Sequence, residues 1–119
     1  HKTYLLACKG LADIIEDGDA EKIQKYLKDN LSEYVGKVEN VVLGCTHYPL
    51  VEEHIKQVLG NVKFFNGAPN LAKHLKDVLV EGNLISDKEK KGKIDFIDSS
   101  NSEYKKERFY RYLNIEINN

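Results

Sequence analysis

Methionine is absent from this sequence of 119 residues, and cysteine and proline occur only twice each. Because the chain opens with His1 and has no initiator methionine, we expect it to be a piece of a longer polypeptide. Two cysteines in a sequence rich in lysine and glutamate fit a reducing cytoplasm better than a disulfide framework. The sequence also has no run of roughly 20 apolar residues, which a membrane span requires, and no signal-peptide pattern. No membrane partner is therefore predicted.

A large excess of charge of one sign is also missing. The formal net charge is -1, which argues against a nucleic-acid surface because phosphate binding depends on a clear basic excess. Apolar residues make up 41% and charged residues 31%, as is typical of soluble globular proteins. By length alone, we expect one domain with one hydrophobic core.

Short apolar runs alternate with amphipathic segments, a pattern that predicts an α/β fold with a mostly parallel sheet flanked by helices. Strands are predicted at residues 41–44, 62–65 and 94–97, and residues 4–8 are predicted to form a short strand or the exit from one. Helices are predicted at residues 11–17, 20–35, 49–59, 70–80 and 103–113, with Leu71, Leu75, Val78 and Leu79 as the core face of the fourth. Asp19 is a suitable N-cap, and Pro49 suits a first helical turn. Residues 81–93 are predicted to form a linker or exposed loop.

The heptapeptide at residues 44–50 presents a thiol, a hydroxyl and an imidazole at the end of a predicted strand. Ligands bind just outside such strand ends in open α/β sheets. A nearby helix N-terminus favours the thiolate of Cys45, Thr46 can bind a carboxylate or an amine, and His47 titrates near neutrality. These groups suit a general acid/base or a nucleophile. From the residues alone, Cys45 is equally explained as a small buried apolar side chain at a strand end.

The heptapeptide resembles the signature around the second catalytic cysteine of bacterial glutamate racemases, in the aspartate/glutamate racemase superfamily. It reads Gly44-Cys45-Thr46-His47-Tyr48-Pro49-Leu50. A second stretch, which begins at Ala7-Cys8 and ends in Ile14-Ile15-Glu16-Asp17-Gly18, also resembles that family. Residues 9–10 and 66–69 depart from the family pattern, and neither segment touches the heptapeptide in sequence.

The resemblance implies cofactor-independent racemisation of glutamate by two cysteines that act as acid and base on opposite faces of the α-carbon. Cys45 would be one of the two, with Glu16 and His47 as further catalytic residues, and Thr46 and His47 would bind the substrate. The D-glutamate would supply peptidoglycan in the bacterial cytoplasm, and a homo-oligomer is expected.

The resemblance also implies a two-domain, pseudo-symmetric fold, of which this chain would be the C-terminal portion. Residues 1–68 would form the later part of the second α/β domain, and residues 69–119 would return to the first. The other catalytic cysteine would lie upstream of His1, in a missing N-terminal part, so the chain alone is expected to be inactive.

A racemase of aspartate or another small acid is one alternative, although the histidine after Cys45-Thr46 favours glutamate, and a non-catalytic binding domain is another. Cys8 is interpreted as a buried structural thiol, and His54 and His74 as solvated surface residues. A zinc site that combines Cys8, Cys45, His47 and His54 has no supporting ligand spacing, so no metal is predicted.

Overall fold

The computed structural model describes residues 2–86 and 92–113. The chain divides into two compact units, His1–Ala72 and Lys73–Asn119. In chain order the elements are α1 (Leu11–Asp17), α2 (Ala20–Leu31), β1 (Asn40–Val42), α3 (Glu52–Leu59), β2 (Lys63–Phe65), α4 (Ala68–Glu81) and α5 (Glu103–Tyr112). A 3₁₀ turn at Ser32–Tyr34 follows α2, and a second 3₁₀ turn at Tyr48–Val51 precedes α3.

The boundary between α1 and α2 is set by Gly18 and Asp19. Gly18 adopts a left-handed conformation with φ of 72°, which glycine tolerates without steric cost, and it ends α1. The Asp19 carboxylate accepts hydrogen bonds from the backbone N–H groups of Glu21 and Lys22, each at 3.1 Å. Asp19 is therefore the N-cap of α2, as predicted. Helix α2 ends at Leu31 rather than at residue 35, because the chain tightens there into a 3₁₀ turn.

Strands β1 and β2 form a parallel pair, in which Val41 lies opposite Phe64. The backbone N–H of Leu43 donates to the Phe65 carbonyl at 2.8 Å, so the pairing continues one residue past β1. Parallel strands need a crossover connection, which α3 provides. The predicted α/β class with parallel pairing is confirmed, although β1 begins and ends earlier than predicted.

The hydrophobic core lies in the first unit, where α2 packs against α1 and α3. Its most buried side chains, Leu11, Ile15 and Leu27, are less than 2% exposed. Each fully buried side chain of this size contributes roughly 1.5–3 kcal/mol. The complete cluster contains Leu11, Ile15, Ile23, Leu27, Leu31, Leu43, Val51, Ile55, Leu59 and Val62. This core fixes α1 and the segment before α3 relative to each other.

Two predicted strands, at residues 4–8 and 94–97, are wrong. Both segments are described, and neither forms a strand. Leu5 is 96% exposed and Ile97 is 91% exposed, which is inconsistent with an internal position in a sheet. An apolar, strand-favouring sequence becomes a strand only where its backbone groups pair with a neighbouring chain. These two segments therefore have strand propensity without a strand partner among the described residues.

The second unit contains helix α5, which Ser102 caps by accepting from the backbone N–H of Lys105 at 3.4 Å. The rings of Phe96 and Phe109 lie 4.8 Å apart, and the Tyr110 hydroxyl donates to the Ile94 carbonyl at 3.1 Å. These contacts hold the segment before α5 against the helix.

The predicted core face of α4 is largely wrong. Leu71, Leu75 and Val78 are exposed, and only Leu79 is half-buried. Amphipathic spacing predicts which side of a helix is apolar, but burial also requires a surface that packs on that side. The predicted loop at residues 81–93 follows α4, and its charged run at 88–91 lies outside the described residues. Within residues 2–86 and 92–113, no helix combines the length and apolarity needed to cross a bilayer.

Candidate active site

The heptapeptide forms a compact turn between β1 and α3. The backbone N–H of Tyr48 donates to the Cys45 carbonyl at 3.2 Å, and that of Leu50 donates to the His47 carbonyl at 3.0 Å. Pro49 lies in the first positions of the 3₁₀ turn, where its missing N–H costs nothing. This tight turn places Cys45 and His47 beside each other at the carboxyl end of β1.

The Cys45 thiol lies in an environment that favours the thiolate. Its Sγ is 3.8 Å from Nδ1 of His47, and the residue is half-buried. The pKa of Cys45 is lowered, mainly by a hydrogen bond from the His47 backbone N–H and then by the His47 side chain, while burial acts in the opposite direction. A backbone N–H and an imidazolium both stabilise a negative sulfur, so this thiol is predisposed to act as a base.

His47 connects Cys45 to Glu16. The other ring nitrogen of His47, Nε2, lies 2.9 Å from Oε1 of Glu16, which comes from α1. The His47 side chain is 29% exposed and that of Glu16 is 46% exposed. The pKa of His47 is raised, first by its hydrogen bond to Glu16 and second by that to Cys45. A protonated His47 donates from both nitrogens, so the three side chains form one hydrogen-bonded series.

The other residues named in the sequence analysis lie outside the hydrogen-bonded series from Glu16 to Cys45. Thr46 is exposed in the turn between Cys45 and His47. His54 is half-buried on α3 and His74 is exposed on α4, so only His74 has the predicted solvated position. Among residues 2–86 and 92–113, no group of three or more His, Cys, Asp or Glu residues is placed to hold a metal ion.

Cys8 lies along the same groove in the first unit as Cys45. It is half-buried rather than fully buried, and it packs against the hydrophobic core. Burial raises the pKa of its thiol, opposite to the shift of Cys45. The two cysteines of this chain therefore differ in acidity.

Two tyrosines that had no predicted role contact the turn before α1. The Tyr48 hydroxyl donates to the Cys8 carbonyl at 3.3 Å, and the Tyr26 hydroxyl donates to the Lys9 carbonyl at 2.9 Å. Tyr48 belongs to the heptapeptide, and its position there was the only sequence signal for such a contact.

Several known proteins are similar in sequence to this chain. The chain is 38% identical over 112 residues to a glutamate racemase of Clostridium kluyveri, an alignment that covers 91% of this chain and 44% of that protein. A Clostridium perfringens glutamate racemase is 37% identical over 98 residues, covering 79% of this chain and 38% of its own length. The chain is homologous to glutamate racemases. Another of these, from Clostridium botulinum, is 33% identical over 115 residues, covering 93% and 45%.

A glutamate racemase isoform from Bacillus anthracis is structurally similar to the chain, with a TM-score of 0.56 and 32% sequence identity. The match covers 68% of this chain and 32% of that one. No protein-family model matches. The chain therefore spans less than half the length of the glutamate racemases to which it is similar.

Proposed function

We propose that this chain supplies Cys45 as one of the two acid/base thiols of a glutamate racemase. The observation that carries the proposal is the hydrogen-bonded series from Glu16 through His47 to Cys45, found in a chain that is homologous to glutamate racemases. The lowered pKa of Cys45 supports the role of base, because only the thiolate accepts a proton.

In the proposed reaction, the Cys45 thiolate takes the α-proton from one enantiomer of glutamate. The Cα–H bond breaks, an S–H bond forms, and the electron pair stays on the α-carbon as a planar carbanion. A second thiol on the opposite face then gives its proton to that carbon, which inverts the configuration. In the reverse direction the Cys45 thiol is the acid. The proton balance closes with the two thiols, and no cofactor takes part.

The neighbouring side chains have distinct proposed roles. His47 holds Cys45 as thiolate and contacts the substrate, and Glu16 keeps the His47 imidazole oriented and protonated. The exposed Thr46 hydroxyl binds the carboxylate or the amine of glutamate. General acid/base groups of this kind contribute typically 10²–10⁴-fold each to a rate.

The second thiol is proposed to come from a part of the same racemase that this chain does not span. That part would lie N-terminal to these residues and would be their partner in the active site. Residues 1–68 then complete one α/β domain of a pseudo-symmetric pair, and residues 69–119 belong to the other. We place the enzyme, as a homo-oligomer, in the bacterial cytoplasm, where its D-glutamate supplies peptidoglycan and the cell wall.

A chimeric enzyme tests the proposal. The matched 112 residues of the Clostridium kluyveri relative are replaced by those of this chain, and conversion of L- to D-glutamate is followed by circular dichroism. We expect turnover, and loss of at least about 10²-fold on Cys45→Ser. A folded chimera that racemises as well with Cys45→Ser as without it would refute the role of Cys45.

Cys8→Ser is the matched control, because it removes the other thiol of the chain and is expected to leave turnover largely unchanged. Parallel assays with aspartate test the alternative substrate, and faster turnover of aspartate would overturn the choice of glutamate. A folded chimera that binds glutamate without exchanging its α-proton for deuterium would instead indicate a binding domain.

A further inference from the structure

The turn that leads into α1 is held by side chains from other parts of the first unit. Its Cys8 carbonyl accepts from the Tyr48 hydroxyl at 3.3 Å and also from the Leu11 backbone N–H at 3.2 Å. The Tyr26 hydroxyl bonds the next carbonyl, that of Lys9, at 2.9 Å. The residue before α1 is Gly10, which has no side chain with which to cap the helix. The two tyrosine hydroxyls therefore hold the turn before α1 through its carbonyl groups.

Helix α1 is tied to the heptapeptide near both of its ends. The Tyr48 hydroxyl donates a hydrogen bond to the turn before the helix. The residue before Tyr48 is His47, and its imidazole is hydrogen-bonded to Glu16 near the end of the helix. The helix has only seven residues, so its position depends on such contacts and on its buried side chains Leu11 and Ile15. The placement of Glu16 against His47 thus depends on how α1 is held at its start.

We propose that Tyr48 is a positioning residue: its hydroxyl holds the start of α1 against the heptapeptide, so that Glu16 stays in contact with His47 and His47 stays in contact with Cys45. The inference rests on the proposed function and adds a residue to its site. The Tyr48 hydroxyl acts through Glu16, since it donates to the Cys8 carbonyl and not to the Cys45 thiol.

The phenol of Tyr48 is suited to this role because it stays protonated. Its pKa is raised, mainly by burial and also by the nearby Cys8, Cys45 and Tyr26. It therefore remains a hydrogen-bond donor over the pH range in which Cys45 titrates.

The test uses Tyr48→Phe, which keeps the ring and removes only the hydroxyl. The rate of alkylation of Cys45 by iodoacetamide is measured against pH in this chain. Trypsin separates the two cysteines, since Cys8 falls in the peptide 3–9 and Cys45 in the peptide 38–56. We expect the alkylation profile of Cys45 to move to higher pH, with a rate at pH 7 lower by about 2- to 10-fold, the range that one hydrogen bond provides.

Two further variants test whether the effect is specific to the Tyr48 hydroxyl and whether it acts through Glu16. Tyr110→Phe removes a phenol-to-carbonyl hydrogen bond in the second unit and is expected to leave the Cys45 profile unchanged. The double variant Tyr48→Phe with Glu16→Gln is expected to react no more slowly than Glu16→Gln alone, because Tyr48 acts through Glu16. Additive effects would overturn the inference, as would a wild-type profile in Tyr48→Phe.

Tyr26→Phe covers the case in which Tyr48→Phe fails to fold. It releases the adjacent Lys9 carbonyl and is expected to shift the Cys45 profile in the same direction. An unfolded Tyr48→Phe together with an unchanged profile in Tyr26→Phe would overturn the positioning role. Because alkylation reads the state of the thiol rather than turnover, a failure here is distinct from a chimera that does not racemise glutamate.

Discussion

Replacing Glu16 with glutamine tests the pair that orients the histidine of the site. Two unit charges 2.9 Å apart interact by about 1.4 kcal/mol in water and by several times more in a drier environment. The Glu16 side chain is 46% exposed and that of His47 is 29% exposed, so solvent screens the pair. Exposed ion pairs contribute roughly 0.2–1 kcal/mol, and we expect about 0.5–1 kcal/mol here.

The coupling is best measured by a double-mutant cycle with Glu16→Gln and His47→Asn. The cycle isolates their interaction, because other contacts of each side chain cancel. Urea unfolding is followed through resonances of Leu11 and Ile15, which report on the first unit alone. The pKa of His47 is raised in the folded chain, so this stabilisation is fully present below the unfolded pKa of about 6.5. It is lost as pH rises through the folded value.

The coupling energy is therefore expected to change with pH and with salt in a defined direction. The coupling energy should be largest near pH 5.5, smaller at pH 9, and reduced by 0.5 M salt. A coupling energy below about 0.2 kcal/mol at pH 5.5, or one that grows with pH, would refute the reasoning that a charged His47 is held by Glu16.

The remaining predictions concern the core and the two thiols. Leu27→Ala should lower the free energy of unfolding by about 2–5 kcal/mol, because Leu27 is 1% exposed, whereas Leu5→Ala, at a side chain 96% exposed, should change it by less than about 0.5 kcal/mol. Urea titration of both variants checks this, and similar losses would contradict the assigned core. At pH 7, iodoacetamide should modify Cys45 faster than Cys8, because the pKa of Cys45 is lowered and that of Cys8 is raised. Peptide mass spectrometry measures both rates, and a faster Cys8 would contradict the described environments.

The candidate site was predictable where its residues are close in sequence. Cys45 and His47 were both predicted site residues in one heptapeptide, and the structure places Sγ of Cys45 3.8 Å from Nδ1 of His47. The contact between Glu16 and His47 joins residues that are 31 positions apart, and no spacing rule predicts it. Resemblance to a known family suggested Glu16, and the packing of α1 provides the contact. Tyr48 was visible in the motif, but its partner, a backbone carbonyl, leaves no signal in a sequence.

The fold was predictable where local signals determine the backbone. Gly18 and Asp19 fix a helix end and a helix start through their own conformation and side chain, and the predicted helix at residues 11–17 and the predicted Asp19 cap are confirmed. Residues 4–8 and 94–97 have the composition of strands, yet a strand depends on a partner that can lie anywhere in a chain. The apolar stripe of α4 likewise predicted a face without predicting what packs on it.

The parallel pairing of β1 with β2 also separates the contacts of Cys45 and His47 into local and non-local ones. Asn40 pairs with Lys63, so the two strands meet only after residues 43–62 have closed into a crossover. Closing such a connection costs entropy before any pairing stabilises it. Cys45 and His47 lie inside that crossover. Their mutual hydrogen bonds are local to one turn, whereas Glu16, which contacts His47, lies outside the crossover on α1. The pKa of Cys45 is thus lowered within the crossover, and the contact with Glu16 is added only when α1 packs against it.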